Sequence, residues 1–439
     1  MAQLMISGSK ATNGRLQISG AKNAALPLMA ACLLTKGEVK LKNVPKISDV
    51  DTMKAELKAF GVRVSGDGQT LVLNAENAKS KPDSEYNPTR GGFTVLGPLM
   101  ARFSEAKVQG PGGCRIQTSG RPVDFHIVAL KKMGATDVPN NQNGCVWLEA
   151  EGGLQGANIH FPNVSVGATE NITMAACLAN GTTIITNAAV EPEVMDLVHM
   201  LKKMGANIEV DEQENMITIY GQRGFLNGTT HTVIPDRIEA GSYAIAAAIS
   251  GGPLLLEMPP QSAEEMLSTV VQKLRQAGVQ ATWEDDGLLV ERKGKIKPIG
   301  IITGPYPEFP TDLLPQWATL MTQAQGPSRI EDTIYNNRFE HLNELRDVSG
   351  RALFTKESDT VYNINGGAKL QGRRVKAKDL RGGFALILAG MASEGPTVVK
   401  EFHHVLRGYE NIKEKLKQCG AKLREEELPR ARGGYSGPS

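Results

Sequence analysis

Six apolar stretches of this chain begin with residues that are not apolar. The stretches read AKNAALPLMAACLL, RGGFTVLGPLMARF, VGATENITMAACLA, IEAGSYAIAAAISG, TDLLPQWATLMTQA and RGGFALILAGMASE. At or beside their starts stand Lys22 and Asn23, Arg90, Ser165 and Gly167, then Asp236, Arg237 and Glu239, Asp312, and Arg381. A helix N-terminus presents unpaired N–H groups and a partial positive charge, so it attracts anions. A lysine or arginine there opposes the helix dipole, and stability alone does not select it. Any one of these cations reads as a solvated or salt-bridged cap. Cationic starts in three of the six stretches, at Lys22, Arg90 and Arg381, predict a shared site for an anionic ligand.

A second set of reactive residues lies in glycine-rich sequence. The run GPGGCRIQTSGRPVD from Gly110 holds Cys114 between glycines, with Arg115 and Arg121 nearby. Glycines free the loop, and neighbouring guanidinium groups favour the thiolate. A reactive thiol and a structural one weigh equally for Cys114; Cys32, Cys145, Cys177 and Cys419 read as core. Arg407, in HHVLRGYE, reads by itself as a surface arginine. The seven histidines show neither HExxH nor HxH spacing, so no metal site is expected. Five cysteines without a CxxC point to reduced thiols in a cytosol.

The elements that carry these residues repeat. Helix-like segments ending in leucine and glycine recur as LKAFG from Leu57, LKKMG from Leu130 and from Leu201, LRQAG from Leu274, LRDVSG from Leu345 and LKQCG from Leu416. Successive leucines are 73, 71, 73, 71 and 71 residues apart. Such regularity marks internal repetition, and each glycine suits a helix C′ position in the left-handed region. Each repeat reads as buried helix, strand, amphipathic helix, strand. A solenoid is one way to stack such units. Two globular bundles of three repeats fit the long period and the very apolar helices better. The length of 439 residues also favours two domains. Lys+Arg 49 against Asp+Glu 47 carries no global signature of nucleic-acid binding. No apolar run approaches the roughly 20 residues of a membrane span, and the N-terminus lacks the apolar core of a signal peptide. A cytoplasmic protein is expected.

The pieces SGAKNAALPLMAA, GPGGC with GRPVD, VSVGATEN, IPDRIEAGSY, FPTDLLPQ, NRF, KDLRGG and RGYE occur in this order along nearly the whole chain. Together they resemble the enolpyruvyl (1-carboxyvinyl) transferases that act on UDP-N-acetylglucosamine in peptidoglycan synthesis. The resemblance implies an α/β fold of the inverted α/β barrel (prism) type, with three repeats in each of two domains and the active site in the cleft between them. One domain spans 22–230, the other joins 1–21 to 231–426, and 427–439 is a disordered tail. It also implies transfer of the enolpyruvyl group of phosphoenolpyruvate to the 3′-hydroxyl of the nucleotide sugar, with release of phosphate and without a metal or organic cofactor. Lys22, Arg121 and Arg407 would hold phosphoenolpyruvate, Cys114 would be the acid of the mobile loop, and Asp312 the base. Asn23, Arg90, Arg121, Pro122, Val123, Asp124, Phe125, Ser165, Val166, Asp312 and Ile334 would line the nucleotide-sugar site. Arg381, the repeat equivalent of Arg90, is expected to face the same cleft.

The chain departs from the family's pattern at several places. Glycine follows Arg90 and Arg381 where alanine is usual. Asn336 stands where the family has glutamate, Leu406 where it has aspartate, and two extra residues separate Cys114 from Arg121. These changes leave room for a relative using another uridine nucleotide such as UMP, or for a non-catalytic repeat protein that binds nucleotide sugar. The related shikimate-phosphate enzymes fit less well, because the cysteine loop and RPVD are not their pattern.

Overall fold

The structure, a computed structural model, describes residues 3–84, 86, 91–110, 123–139 and 144–424. Its helices are α1 (Lys22–Ala30), α2 (Ser48–Ala59), α3 (Leu96–Phe103), α4 (Asp124–Lys132), α5 (Val166–Cys177), α6 (Pro192–Lys203), α7 (Arg237–Ser250), α8 (Pro260–Gln276), α9 (Leu314–Met321), α10 (Leu380–Ala392) and α11 (Ile412–Gln418). The apolar stretches form α1, α3, α5, α7, α9 and α10. Helices α7 and α10 are buried on every side, as their small and apolar residues require.

The leucine–glycine signature has a specific cause. In α2 the Val62 N–H bonds to the Leu57 carbonyl (3.0 Å), and Gly61 N–H to that of Lys58 (2.9 Å). These two bonds make a Schellman motif, in which leucine is the third residue from the helix end and glycine the left-handed residue just beyond it. The same leucine bond forms at Ala135–Leu130, Ala206–Leu201 and Val279–Leu274, each 3.0 Å. The six repeat glycines all have positive φ: +82° at Gly61, +97° at Gly134, +99° at Gly205, +85° at Gly278, +77° at Gly350 and +86° at Gly420. The fifth repeat departs from the expected helix. Its LRDVSG holds one residue more between leucine and glycine, so the motif cannot close, and a 3-10 turn at Glu340–Glu344 replaces the helix.

The two RGGF copies also differ. From Arg381 the sequence runs as a continuous helix, whereas Gly91–Val95 form a 3-10 turn before α3. Pro98 contributes to this, because it has no N–H to offer the Thr94 carbonyl and its ring crowds that carbonyl, although α1 runs as a helix through Pro27. The other copy has Ala389 at the matching place.

Among the described residues there are six sheets, five of four strands and one of three. The strand Leu4–Ser9 pairs antiparallel with Thr397–Lys400 and with Ala421–Arg424. Gly14–Gln17 pairs parallel with Leu254–Glu257, and Thr229–Thr232 runs parallel beside Glu38–Lys42. Buried side chains gather into two clusters. One runs from Ala21 to Val233; the other joins Leu4, Ile6, Leu16 and Ile18 to residues from Ile238 to Ala421. The chain crosses between the clusters twice, and the crossings lie side by side. Ala21 N–H donates to Ile234 O (2.7 Å) and Asp236 N–H to Ser19 O (2.9 Å), around a bridge between Gly20 and Pro235. A Cβ on Gly20 would fall 1.8 Å from the Asn43 carbonyl oxygen, so only glycine fits there.

Candidate active site

The helix starts nearest the crossings carry the charged side chains. Asp236 caps α7, accepting from Ile238 N (2.8 Å) and Glu239 N (2.9 Å), and its second oxygen accepts from the backbone N of Lys22 (3.1 Å). One aspartate thus ties the first turn of α1 to that of α7. The Lys22 ammonium lies 2.7 Å from the Asp49 carboxylate in the first turn of α2. Arg407, at the end of the 3-10 turn Phe402–Arg407, reaches the same carboxylate from the second cluster through Nε (2.9 Å) and Nη2 (3.4 Å). Burial alone would raise the Asp49 carboxyl, but Lys22 and Arg407 together hold it below its usual value. Burial lowers the Lys22 ammonium, and Arg381 and Arg407 add to this against the pull of Asp49. An anion entering here would stabilise the charged lysine.

A second carboxylate is shared between two arginines. Asp312, in the turn Thr311–Leu313 before α9, accepts at Oδ2 from Arg381 Nε (3.1 Å) and Nη2 (2.9 Å), and at Oδ1 from Arg338 Nη2 (2.7 Å). Arg381 lies in the first turn of α10, whose cap is Asp379, accepting from the N–H groups of Arg381 and Gly382 at 2.9 Å each. Its guanidinium sits 5.6 Å from the centre of the Tyr409 ring. Arg381 Nη1 and Arg338 Nε are buried and have no hydrogen-bond partner among the described residues. The four cations Lys22, Arg338, Arg381 and Arg407 share the two carboxylates Asp49 and Asp312, and Asp236 and Asp379 cap the adjacent helix starts. Further out, Arg237 makes a two-pronged contact with Glu193 of α6 (3.0–3.2 Å), again joining the two clusters.

The structure therefore brings Lys22, Arg407, Arg381 and Asp312 to the meeting of the two clusters. Gly408 shows how close they are, since a Cβ there would lie 3.3 Å from Lys22 Cδ and 2.8 Å from Leu380. Asn23 follows Lys22 in α1 and is half-buried. The other expected residues sit at neighbouring helix starts. Val123 is the buried cap of α4, Asp124 its exposed first residue, and Phe125 packs at 6.1 Å from the ring of Phe161. Ser165 caps α5 by accepting from Ala168 N (3.4 Å), with half-buried Val166 next. His126 and Asn171 (2.8 Å) tie α4 to α5. Ile334 is 37% exposed, and its N–H donates to Asp332 (2.9 Å). Arg90, Cys114, Arg121 and Pro122 lie outside the described residues, as does the tail 427–439.

Two readings of the sequence need correction. Arg407 is no isolated surface arginine but half of a shared ion pair, because the fold lays its turn against α2. Cys145 is half-buried rather than core, since it begins a strand (Cys145–Glu149) whose alternate residues face outward. Sequence reasoning missed Asp49 entirely. An acidic residue in a first helix turn is ordinary, and no spacing distinguishes this one.

Residues 6–416 match the family described as EPSP synthase (3-phosphoshikimate 1-carboxyvinyltransferase). The chain belongs to the enolpyruvyl transferase family. It is 44% identical over 428 residues to the UDP-N-acetylglucosamine 1-carboxyvinyltransferase of Granulibacter bethesdensis, covering 96% of this chain and 99% of the relative. To the protein of the same name from Gluconacetobacter diazotrophicus it is 43% identical, with the same coverage. Among solved structures, the enolpyruvyl transferase NikO from Streptomyces tendae is similar with a TM-score of 0.84 at 24% identity, covering 97% of this chain and 99% of that one. An EPSP synthase from Acinetobacter baumannii is similar with a TM-score of 0.71 at 19% identity, covering 97% and 100%. At those identities the likeness shows the α/β fold of this enolpyruvyl transferase family member. No helix among the described residues is long and apolar enough to cross a membrane.

Proposed function

We propose that this protein transfers the enolpyruvyl group of phosphoenolpyruvate to the 3′-hydroxyl of UDP-N-acetylglucosamine, releasing phosphate, as a cytoplasmic step of peptidoglycan precursor synthesis. The observation that carries this reading is the 44% identity, over 96% of the chain, to a relative of that name. The charge arrangement supports it. A substrate with both a phosphate and a carboxylate needs several cations in a closed site beside a diphosphate, and Lys22, Arg121 and Arg407 supply them. Asp49 holds Lys22 and Arg407 until the anion arrives. Asp312 takes the proton of the acceptor hydroxyl as its oxygen bonds to the central carbon of the enolpyruvyl group, and Cys114 gives a proton to the methylene carbon. Loss of that proton and of phosphate restores the double bond. Asn23, Arg90, Val123–Phe125, Ser165, Val166 and Ile334 position the nucleotide sugar.

The two buried clusters serve as two domains, 22–230 and 1–21 with 231–426, each an inverted α/β barrel of three repeats. The ion pairs between them, Asp49–Arg407 and Glu193–Arg237, are contacts that closure makes and opening breaks. Mass measurement of the acceptor after incubation with phosphoenolpyruvate tests the reading. A gain of one enolpyruvyl group on UDP-N-acetylglucosamine supports it. The same gain on UMP but none on the nucleotide sugar assigns a different acceptor.

A further inference from the structure

Three side chains able to ligate metal converge on one turn just before Arg407. The ligand atoms of Glu401, His403 and His404 all lie within 4.8 Å of one another. The backbone makes this possible. Glu401 is not glycine, yet it adopts a left-handed conformation (φ 56°, ψ 34°) at the cap of the turn Phe402–Arg407, and its carbonyl accepts from His404 N–H (3.0 Å). This reversal brings the glutamate back over the residues that follow it. Its Oε2 lies 3.5 Å from His403 Nδ1, and the two imidazole rings are centred 4.2 Å apart. A tetrahedral ion with bonds of about 2.0–2.1 Å holds its ligands roughly 3.3–3.4 Å from one another. The side chains must draw together by up to about 1.4 Å to reach that.

We propose that Glu401, His403 and His404 form a binding site for one divalent transition-metal ion. Two imidazoles with one carboxylate suit zinc, nickel or copper, whereas magnesium and calcium prefer oxygen ligands alone. Three protein ligands leave a fourth position to water, so the site is an open one. HExxH and HxH spacing would not reveal it, because the cluster is an E-x-H-H run closed by a local left-handed turn. In a 3-10 turn residues three apart eclipse one another, so His404 shares a face with Arg407, and an ion bound here sits on the segment that carries that arginine.

The test uses the full chain in a Cys114→Ser background, which removes a competing thiol. Metal-stripped protein is titrated with zinc against a chromophoric chelator, and compared with a His403→Ala/His404→Ala variant and with Glu401→Gln. The expected result is one zinc equivalent whose affinity falls at least tenfold in the double variant and severalfold in Glu401→Gln, while a millimolar excess of magnesium does not displace it. Equal stoichiometry and affinity in all three proteins, or displacement by magnesium, overturns the proposal. On the unmutated histidines, zinc should protect His403 and His404 from diethyl pyrocarbonate in peptide mapping. Equal modification with and without zinc overturns it independently of how the variants fold.

Discussion

Replacing Asp49 by asparagine tests the centre of the site. The Asp49 side chain is 4% exposed, with Lys22 at 13% and Arg407 at 38%. The change keeps the volume and removes the charge, leaving two cations facing each other. Removing one partner of a buried pair costs about 3–5 kcal/mol. Arg407 is more than a third exposed and screened by solvent, which places the expected loss at the lower end, about 3 kcal/mol. For cooperative units of this size, about 2–4 °C of melting temperature is lost per kcal/mol, so the midpoint should fall by roughly 6–12 °C. Inorganic phosphate should recover part of the loss, because an anion replaces the missing carboxylate. Its stabilising shift should be larger in the variant than in the wild type. Melting curves with and without phosphate decide. An unchanged midpoint, or a smaller phosphate shift in the variant, would show that Asp49 does not hold the two cations together.

Burial pushes the Glu56 carboxyl up to about 8, with one oxygen lacking a hydrogen-bond partner among the described residues. A carboxyl raised on folding stabilises below its unfolded pKa of about 4.3, and that contribution is lost as pH rises toward 8. Glu56→Gln should therefore flatten the loss of stability between pH 5 and 9, by on the order of 4 kcal/mol at the alkaline end; parallel urea-midpoint profiles for the two proteins would refute this. Burial likewise pushes the Cys32 and Cys177 thiols up to about 12, so at pH 7 an electrophile such as fosfomycin or iodoacetamide should label Cys114 first and leave these two unmodified. Rapid labelling of either buried thiol would contradict the packing. Arg381→Ala removes two hydrogen bonds from Asp312 and should lower turnover about ten- to a hundredfold, the equivalent of a charge-assisted contact, and, because the arginine is buried, it should lower the melting temperature as well; wild-type kinetics would make the arginine architectural.

The architecture was legible where one residue answers to one backbone requirement. A leucine and a glycine four apart mark a helix end, and that pattern located five of them from their spacing, four closed by the Schellman leucine bond. It failed at LRDVSG because one added residue breaks the bonding pattern while leaving the glycine in place. The twin RGGF peptides look alike in sequence, yet one starts as a 3-10 turn and the other as an α-helix. Candidate residues at helix starts were legible because a cation there is anomalous. Lys22 and Arg381 stood out for that reason, and each turned out to be held by a carboxylate rather than left free. Asp49 could not be found, because an acid at a helix start is what the dipole favours. Arg407 drew attention only through resemblance, since its partner lies 358 residues away in sequence.

The most direct measurement follows phosphate release from phosphoenolpyruvate with UDP-N-acetylglucosamine, UMP or shikimate 3-phosphate as acceptor. Stoichiometric phosphate is expected with UDP-N-acetylglucosamine, little with the other two, and loss of release in Asp312→Asn. Release with UMP or shikimate 3-phosphate but not with the nucleotide sugar, or no release with any acceptor, would contradict it.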